Sequence, residues 1–183
     1  MKIKLLMTTA AFALTLGSAA MAVTDPMVGG AAMFDTKNIV QNAVNSKDHT
    51  TLVAAVKAAG LVSTLESPGP FTVFAPTNEA FAALPAGTVD TLLKPENKAD
   101  LTKVLTYHVV SGRYDATTLA NDVKSAPGGR VSLKTVEGEP LIVSQNGSAL
   151  MVTDAKGGTA TVTIPDVYQS NGVIMVVNKV LLP

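Results

Sequence analysis

The apolar residues of this chain change their period near residue 120, and that change constrains the fold more than any other feature. Before it they recur three and four positions apart: Ile39, Val40, Ala43 and Val44; Leu52, Val53, Val56 and Ala59; Leu101, Val104 and Leu105. After it they alternate with polar residues or form short continuous runs. The first spacing lines one face of a helix and the second one face of a strand. Helices first and strands later is the order of an α+β domain, not of alternating βαβ units. The 47% hydrophobic content supplies a core, but only 4% of residues are aromatic and none is Trp. That core is therefore built from Ala, Val, Leu and Ile.

Local signals set the expected elements. Asp35 or Thr36 can cap the first helix, and Asp48 the second, which ends at Gly60. Leu61, Val62 and Leu65 continue on a short turn. Phe71–Ala75 is rich in β-formers and bounded by Pro70 and Pro76, which predicts a strand. Thr77 caps a helix carrying Ala80, Phe81 and Leu84; Val89, Leu92 and Leu93 form a further turn; Pro95 opens the helix of Leu101–Leu105. Tyr107-His108-Val109-Val110 reads as a strand. Four more runs, Val131–Val136, Leu141–Ser144, Ala149–Val152 and Thr161–Ile164, are separated by Glu137-Gly138, Asn146-Gly147 and Gly157-Gly158, and Asn-Gly between apolar runs signals a hairpin. Val173–Leu182 is nearly continuous in apolar residues, as expected of a central strand covered on both faces.

The start of the chain reads as an address. Lys2 and Lys4 precede an apolar run, Leu5–Leu16, and a small-residue ending at Ala20 and Ala22, the pattern of a secretory signal peptide over residues 1–22. A spanning helix needs about 20 apolar residues, and this run is shorter and broken by Thr8, Thr9 and Thr15. Cleavage after Ala22 removes two lysines, so that 14 basic against 14 acidic residues become 12 against 14. Residues 23–33, with Pro26 and Gly29-Gly30, read as a flexible lead-in to a domain over 34–183. There is no cysteine, hence no disulfide, no thiolate metal site and no lipid anchor on the mature chain. A balanced charge argues against a nucleic-acid partner. The expected location is the periplasm, the cell surface or the extracellular space, as a monomer without cofactor or membrane span.

Few residues suggest chemistry. Nucleophile elbow, phosphate loop and dinucleotide fingerprint are all missing, and the two histidines, His49 and His108, lie far apart without metal-ligand spacing. Arg113-Tyr114-Asp115 loosely resembles an adhesive Arg-Gly-Asp, but Asp115 also suits the cap of a helix over Ala116–Ala120, with Arg113 solvated. Asn146-Gly147-Ser148 fits a glycosylation pattern, and the hairpin already accounts for it.

Three stretches in order carry a resemblance. Thr72-Val73-Phe74-Ala75-Pro76-Thr77-Asn78-Glu79-Ala80-Phe81, Tyr107-His108-Val109-Val110, and Asn171-Gly172 with the run to Pro183 resemble the signature segments of the fasciclin domain. The resemblance covers about residues 34–183 and implies a wedge of two β-sheets flanked by several short α-helices. In it Thr72, Phe74, Pro76, Asn78, Phe81, Asn171 and Gly172 serve the fold. Asn171-Gly172 turns into the last strand, and Met175 stands where the family often has His. His108 is expected buried, neutral and hydrogen-bonded, with Asn78 as partner.

The resemblance further implies a non-catalytic, secreted adhesion or surface-interaction module. Its expected partner is a cell-surface or matrix protein or a polysaccharide. The candidate contact residues carried over are Asp166 and Val167, just before the closing segment, and Tyr107 and His108. The alternative is a carrier of a small hydrophobic ligand, which would need an apolar groove of several hundred Å³.

Overall fold

The computed structural model describes residues 25–183; the expected signal peptide lies outside the described residues. Two layers of helix and strand share one central pair of strands. The helical half comprises α1 (Ile39–Ala43), α2 (Thr50–Ala59), α3 (Val62–Glu66), α4 (Asn78–Ala82), α5 (Thr88–Leu92) and α6 (Lys98–Tyr107). A further helix, α7 (Ala116–Ser125), precedes the strand-rich half. A small hairpin of β1 (Met27–Val28) and β2 (Ala31–Ala32) opens the described chain. The main sheet contains β3 (Phe71–Pro76), β4 (Val109–Ser111), β5 (Arg130–Lys134), β6 (Pro140–Asn146), β7 (Ala149–Thr153), β8 (Thr159–Gln169) and β9 (Gly172–Val177). Its order is β4-β3-β9-β8-β7-β6-β5, with β3 and β9 parallel and all other pairs antiparallel.

This sheet curls until its ends meet. Val110 of β4 bridges Thr135, just past β5, and the Val136 N–H donates to the Val109 carbonyl at 2.7 Å. The long strand β8 allows the curl. Its pairing with β9 shifts register between Ile164 and Val167, and Asp166 there has φ 57°. Such a bulge bends the strand and raises its twist. Inside the curl lies one core: Phe74, Tyr107, Val110, Leu119, Leu133, Leu141, Val143, Val152, Val173, Met175, Val177 and Leu181. Outside it, between sheet and helices, lies a second: Ile39, Leu52, Val56, Leu65, Val73, Ala75, Phe81, Leu101, Leu105, Val167, Ile174 and Val176. Successive residues of β3 and β9 alternate between the two cores, so both strands are covered on both faces, as their continuous apolar runs predict.

Several expectations change. The lead-in is held against the fold: Val28 and Met33 are buried, and the Lys47 N–H donates to the Gly29 carbonyl at 3.1 Å. Gly29 is required there, because its φ is +58° and a Cβ would fall 2.4 Å from Ser46 Oγ. The first helix starts later than expected, with Asn38 as cap in a reciprocal capping box with Gln41. Its hidden residues are Ile39 and Asn42, while Val44 is exposed. The Asn42 side chain bonds both backbone groups of Phe34 and the Gln169 side chain, a network that outweighs the apolar spacing. At the second helix Asp48 lies in a 3-10 turn, Lys47–His49, and makes no capping bond. Tyr107 ends α6 and His108 caps it; of the expected strand only Val109 and Val110 are in β4, because α6 continues the pattern of Leu101, Val104 and Leu105 to its end. Strand β9 stops at Val177, where Asn178 turns to accept the Thr161 N–H at 2.8 Å.

Candidate functional site

The four residues expected to make contacts fall into two settings. Tyr107, His108 and Val167 are buried. The Tyr107 hydroxyl donates to the Pro140 carbonyl at 3.0 Å and accepts the Ala155 N–H at 2.9 Å. Burial, first of all, raises its pKa. His108 Nδ1 faces the Val104 carbonyl at 2.8 Å, so it carries the hydrogen, and Nε2 accepts the Leu181 N–H at 3.0 Å. Burial lowers the His108 pKa to about 4, against smaller opposing effects of the Val104 carbonyl and Asp154. The pair thus latches the end of α6 to the strand half and to the C-terminal tail. Asn78 is not the partner of His108. It accepts the Thr51 N–H at 3.0 Å and donates to the Lys47 carbonyl at 2.8 Å, tying down the start of α2. An amide so close in sequence to the Thr77 cap is placed on the helical side, away from Leu181.

Other motif residues act in the same structural way. Thr72 donates to the Gly112 carbonyl and accepts the Tyr114 N–H. Asn171 accepts the Ile39 N–H at 3.0 Å and donates to the carbonyls of Leu65 and Ser67. Gly172 has no room for a side chain, since a Cβ would meet the Phe71 carbonyl oxygen at 2.2 Å. Phe74 faces the inner core and Phe81 the helical one, and Pro76 is the last residue of β3.

The surface above these residues is different. Asp166 is half-buried and its carboxylate accepts the Ala116 N–H at 2.6 Å, the first amide of α7. The bulge turns Val167 inward and leaves Tyr168 39% exposed on the outside. The Arg113 guanidinium lies 6.0 Å from the centre of the Tyr168 ring and donates to the Gln169 carbonyl at 3.0 Å, so it is not simply solvated. Asp115 caps α7 as expected, accepting the Thr118 N–H at 2.7 Å. That bond, first, holds its carboxyl below the usual carboxylate range. Burial and then the Asp166 and Asp115 carboxylates raise the Tyr168 phenol. Tyr168 and Arg113 thus join the candidate surface. The one available signal was alternation along β8, which the bulge at Pro165-Asp166 disguises.

A second feature lies on the helical side. A cavity of about 70 Å³ is enclosed by Val28, Met33, Val53, Val56, Val73 and Ile174, among others, and His49 forms part of its wall. Among the described residues no group of three His, Asp or Glu side chains could hold a metal ion, and no helix is long and apolar enough to cross a membrane.

The curled sheet with its helical cover is a FAS1 architecture. A family model for the fasciclin domain matches residues 47–183, and the chain belongs to that family. Protein sll1483 of Synechocystis sp. is 45% identical over 178 residues, 94% of this chain and 91% of that protein. Immunogenic protein MPB70 of Mycobacterium bovis is 38% identical over 146 residues, 77% of this chain and 66% of that protein. Transforming growth factor-beta-induced protein ig-h3 of Sus scrofa is 39% identical over 132 residues, 72% of this chain but 17% of that protein. Among solved structures, a FAS1 domain pair from the insect cell adhesion molecule Fasciclin I superimposes with a TM-score of 0.70 at 17% identity, covering 80% of this chain and 51% of that one. That likeness concerns the fold.

Proposed function

We propose that the chain is a secreted, non-catalytic interaction module that attaches to a cell-surface or matrix protein or polysaccharide through the face of Tyr168, Arg113, Asp115 and Asp166. The observation that carries this reading is the restraint on an exposed Tyr–Arg pair. Arg113 is tied to the Gln169 carbonyl beside the Tyr168 ring, and Asp166 and Asp115 are tied to backbone amides of α7. Tyr and Arg dominate interface hot spots, and side chains already held in place lose little entropy on binding. In this reading Asp166 contributes at the edge of the face, while the buried Val167, Tyr107 and His108 serve the fold and make no contact. The fasciclin family supports the same class of role, through the insect cell adhesion molecule with this fold.

The reading is tested with beads carrying the purified protein, scored for attachment to the producing cells and to their isolated surface polysaccharide. Replacing Tyr168→Ala together with Arg113→Ala should lower attachment about ten-fold or more. The melting temperature should move by no more than about 3 °C, since both side chains are exposed. Attachment that survives the double replacement would overturn the proposed face. The carrier alternative is weaker in the form first considered, because a cavity of about 70 Å³ falls short of the several hundred needed for a large hydrophobic ligand.

A further inference from the structure

The described aromatic side chains are buried or half-buried with two exceptions, Phe34 and Tyr168, each 39% exposed. Both exceptions carry a cation over the ring. The Lys37 ammonium lies 4.6 Å from the centre of the Phe34 ring, as the Arg113 guanidinium lies 6.0 Å from that of Tyr168. A cation so placed is attracted by the ring and steadies it.

The two pairs are joined through the end of β8. Arg113 donates to the Gln169 carbonyl, and the next amide, the Ser170 N–H, donates to the Lys37 carbonyl at 2.9 Å. From within, the buried Gln169 side chain bonds the Asn42 side chain, which holds both backbone groups of Phe34. The Lys37 N–H donates to the Phe34 carbonyl at 3.1 Å and closes the turn that carries this pair. Two consecutive residues thus fix two like stations, Tyr168–Arg113 on the side of α7 and Phe34–Lys37 on the side of α1. A buried amide pair is costly unless satisfied, and satisfying this one holds the stations at a set spacing.

Each station is a flat apolar ring bordered by donors and acceptors. At Tyr168 the donors are on Arg113 and the acceptors on Asp115 and Asp166; at Phe34 they are on Lys37 and the exposed Asp35. Three carboxylates against two cations give an anionic polymer no net attraction. A bare apolar partner would strip water from these charges without replacing it. A pyranose meets both requirements: its C–H face matches an aromatic ring, and its hydroxyls donate and accept at the margin. A repeating polymer presents the same unit to both stations, which a folded protein has no reason to do, and its second contact is intramolecular.

We infer that this end of β8 binds a neutral polysaccharide of flat, equatorially substituted sugars, a β-linked glucan in chemical class, with one unit on Tyr168 and another on Phe34. The inference rests on the contact face proposed around Tyr168 and extends it by Phe34 and Lys37.

The experiment titrates the whole mature chain with cellohexaose, cellobiose and an oligogalacturonate of the same length as cellohexaose, followed on the amide resonances of Lys37 and Ser170. Cellohexaose should bind saturably, and cellobiose about 100-fold more weakly because it reaches a single station. The galacturonate should bind more weakly than cellohexaose. Phe34→Ala and Tyr168→Ala, taken singly, should each bring cellohexaose to within about five-fold of cellobiose, since one station then remains. The two variants lie on different elements, so the test stays decisive should one fail to fold. No saturable binding of cellohexaose, equal or tighter binding of the galacturonate, or a length advantage that outlives either replacement would each overturn the inference. Excess cellohexaose should also block attachment of the protein-coated beads to the producing cells. Attachment that is lost in the Tyr168→Ala and Arg113→Ala double replacement yet untouched by cellohexaose overturns the glucan alone, and its loss on protease treatment of the cells then names a protein. Attachment that survives the double replacement overturns the face and the glucan together.

Discussion

The inner core within the curled sheet and the outer core beneath the helices share strands β3 and β9 but are packed to different standards. Inside, Phe74, Leu141, Val143, Val152 and Met175 have no solvent exposure, and all five lie on strands whose cross-strand neighbours are fixed by pairing. Outside, helices α1, α3, α4 and α5 have only five residues each, and a cavity remains between α1, α2, α3 and the sheet. The two histidines condense the contrast. His108 has a partner on each ring nitrogen, whereas His49 has one on Nδ1 alone. Register sets every cross-strand neighbour at once, while helices of little more than one turn have few ridges with which to interlock. The tight half holds the fold; the loose half has room for something else.

The contrast can be broken most directly by truncation. Phe74→Ala should cost about 4 kcal/mol in urea unfolding, because a closed barrel-like wall cannot collapse around the hole. Val56→Ala, on the cavity wall, should cost about 1 kcal/mol; equal costs would erase the distinction. Acid sharpens it next. The folded pKa of His108 is about 4 against 6.5 for an ordinary histidine, so both states are neutral above pH 6.5 and the unfolded state takes the proton first as pH falls. Stability should therefore drop between pH 6.5 and about 4, by about 3 kcal/mol for His108 at 1.36 kcal/mol per pKa unit. His49, also lowered by burial, adds to the loss in the same direction. In His108→Gln the pH slope of the unfolding free energy should flatten over that range, and an unchanged slope would remove His108 from the account. Enlargement tests the same contrast from the other side. Val143→Leu should cost about 1–3 kcal/mol by overpacking, whereas Val56→Leu should stay within about 0.5 kcal/mol of the parent in the same urea titration.

Much of the strand-rich half was legible because alternation, β-branched residues and Gly turns agree there; Asn146-Gly147 and the doubly buried β9 are examples. The helical half was legible in its apolar face but not in its ends. Asn38 outcompeted Asp35 and Thr36 through a reciprocal bond with Gln41, which depends on where Asn42 can find Phe34 and Gln169. Of the proposed contact face, the motif points to Asp166, but Tyr168 and Arg113 are paired only by the bulge and by the fold that brings residue 113 beside 168. Asp154 went unseen as well: it accepts the Lys156, Gly158 and Leu182 amides, and that last bond spans 28 residues. His49 offered no local signal at all, since an unpaired nitrogen is a property of everything around it.

The meeting of Val110 with Thr135 has a consequence for crowding. An open seven-stranded sheet presents two rows of unpaired amides and carbonyls on which other chains can nucleate. Here one border strand has three residues, and the two borders are stitched to each other at their ends. A chain with no disulfide to stop unfolded molecules from exchanging strands thereby offers little template for them. Many copies could then be held side by side on a surface without growing into fibrils.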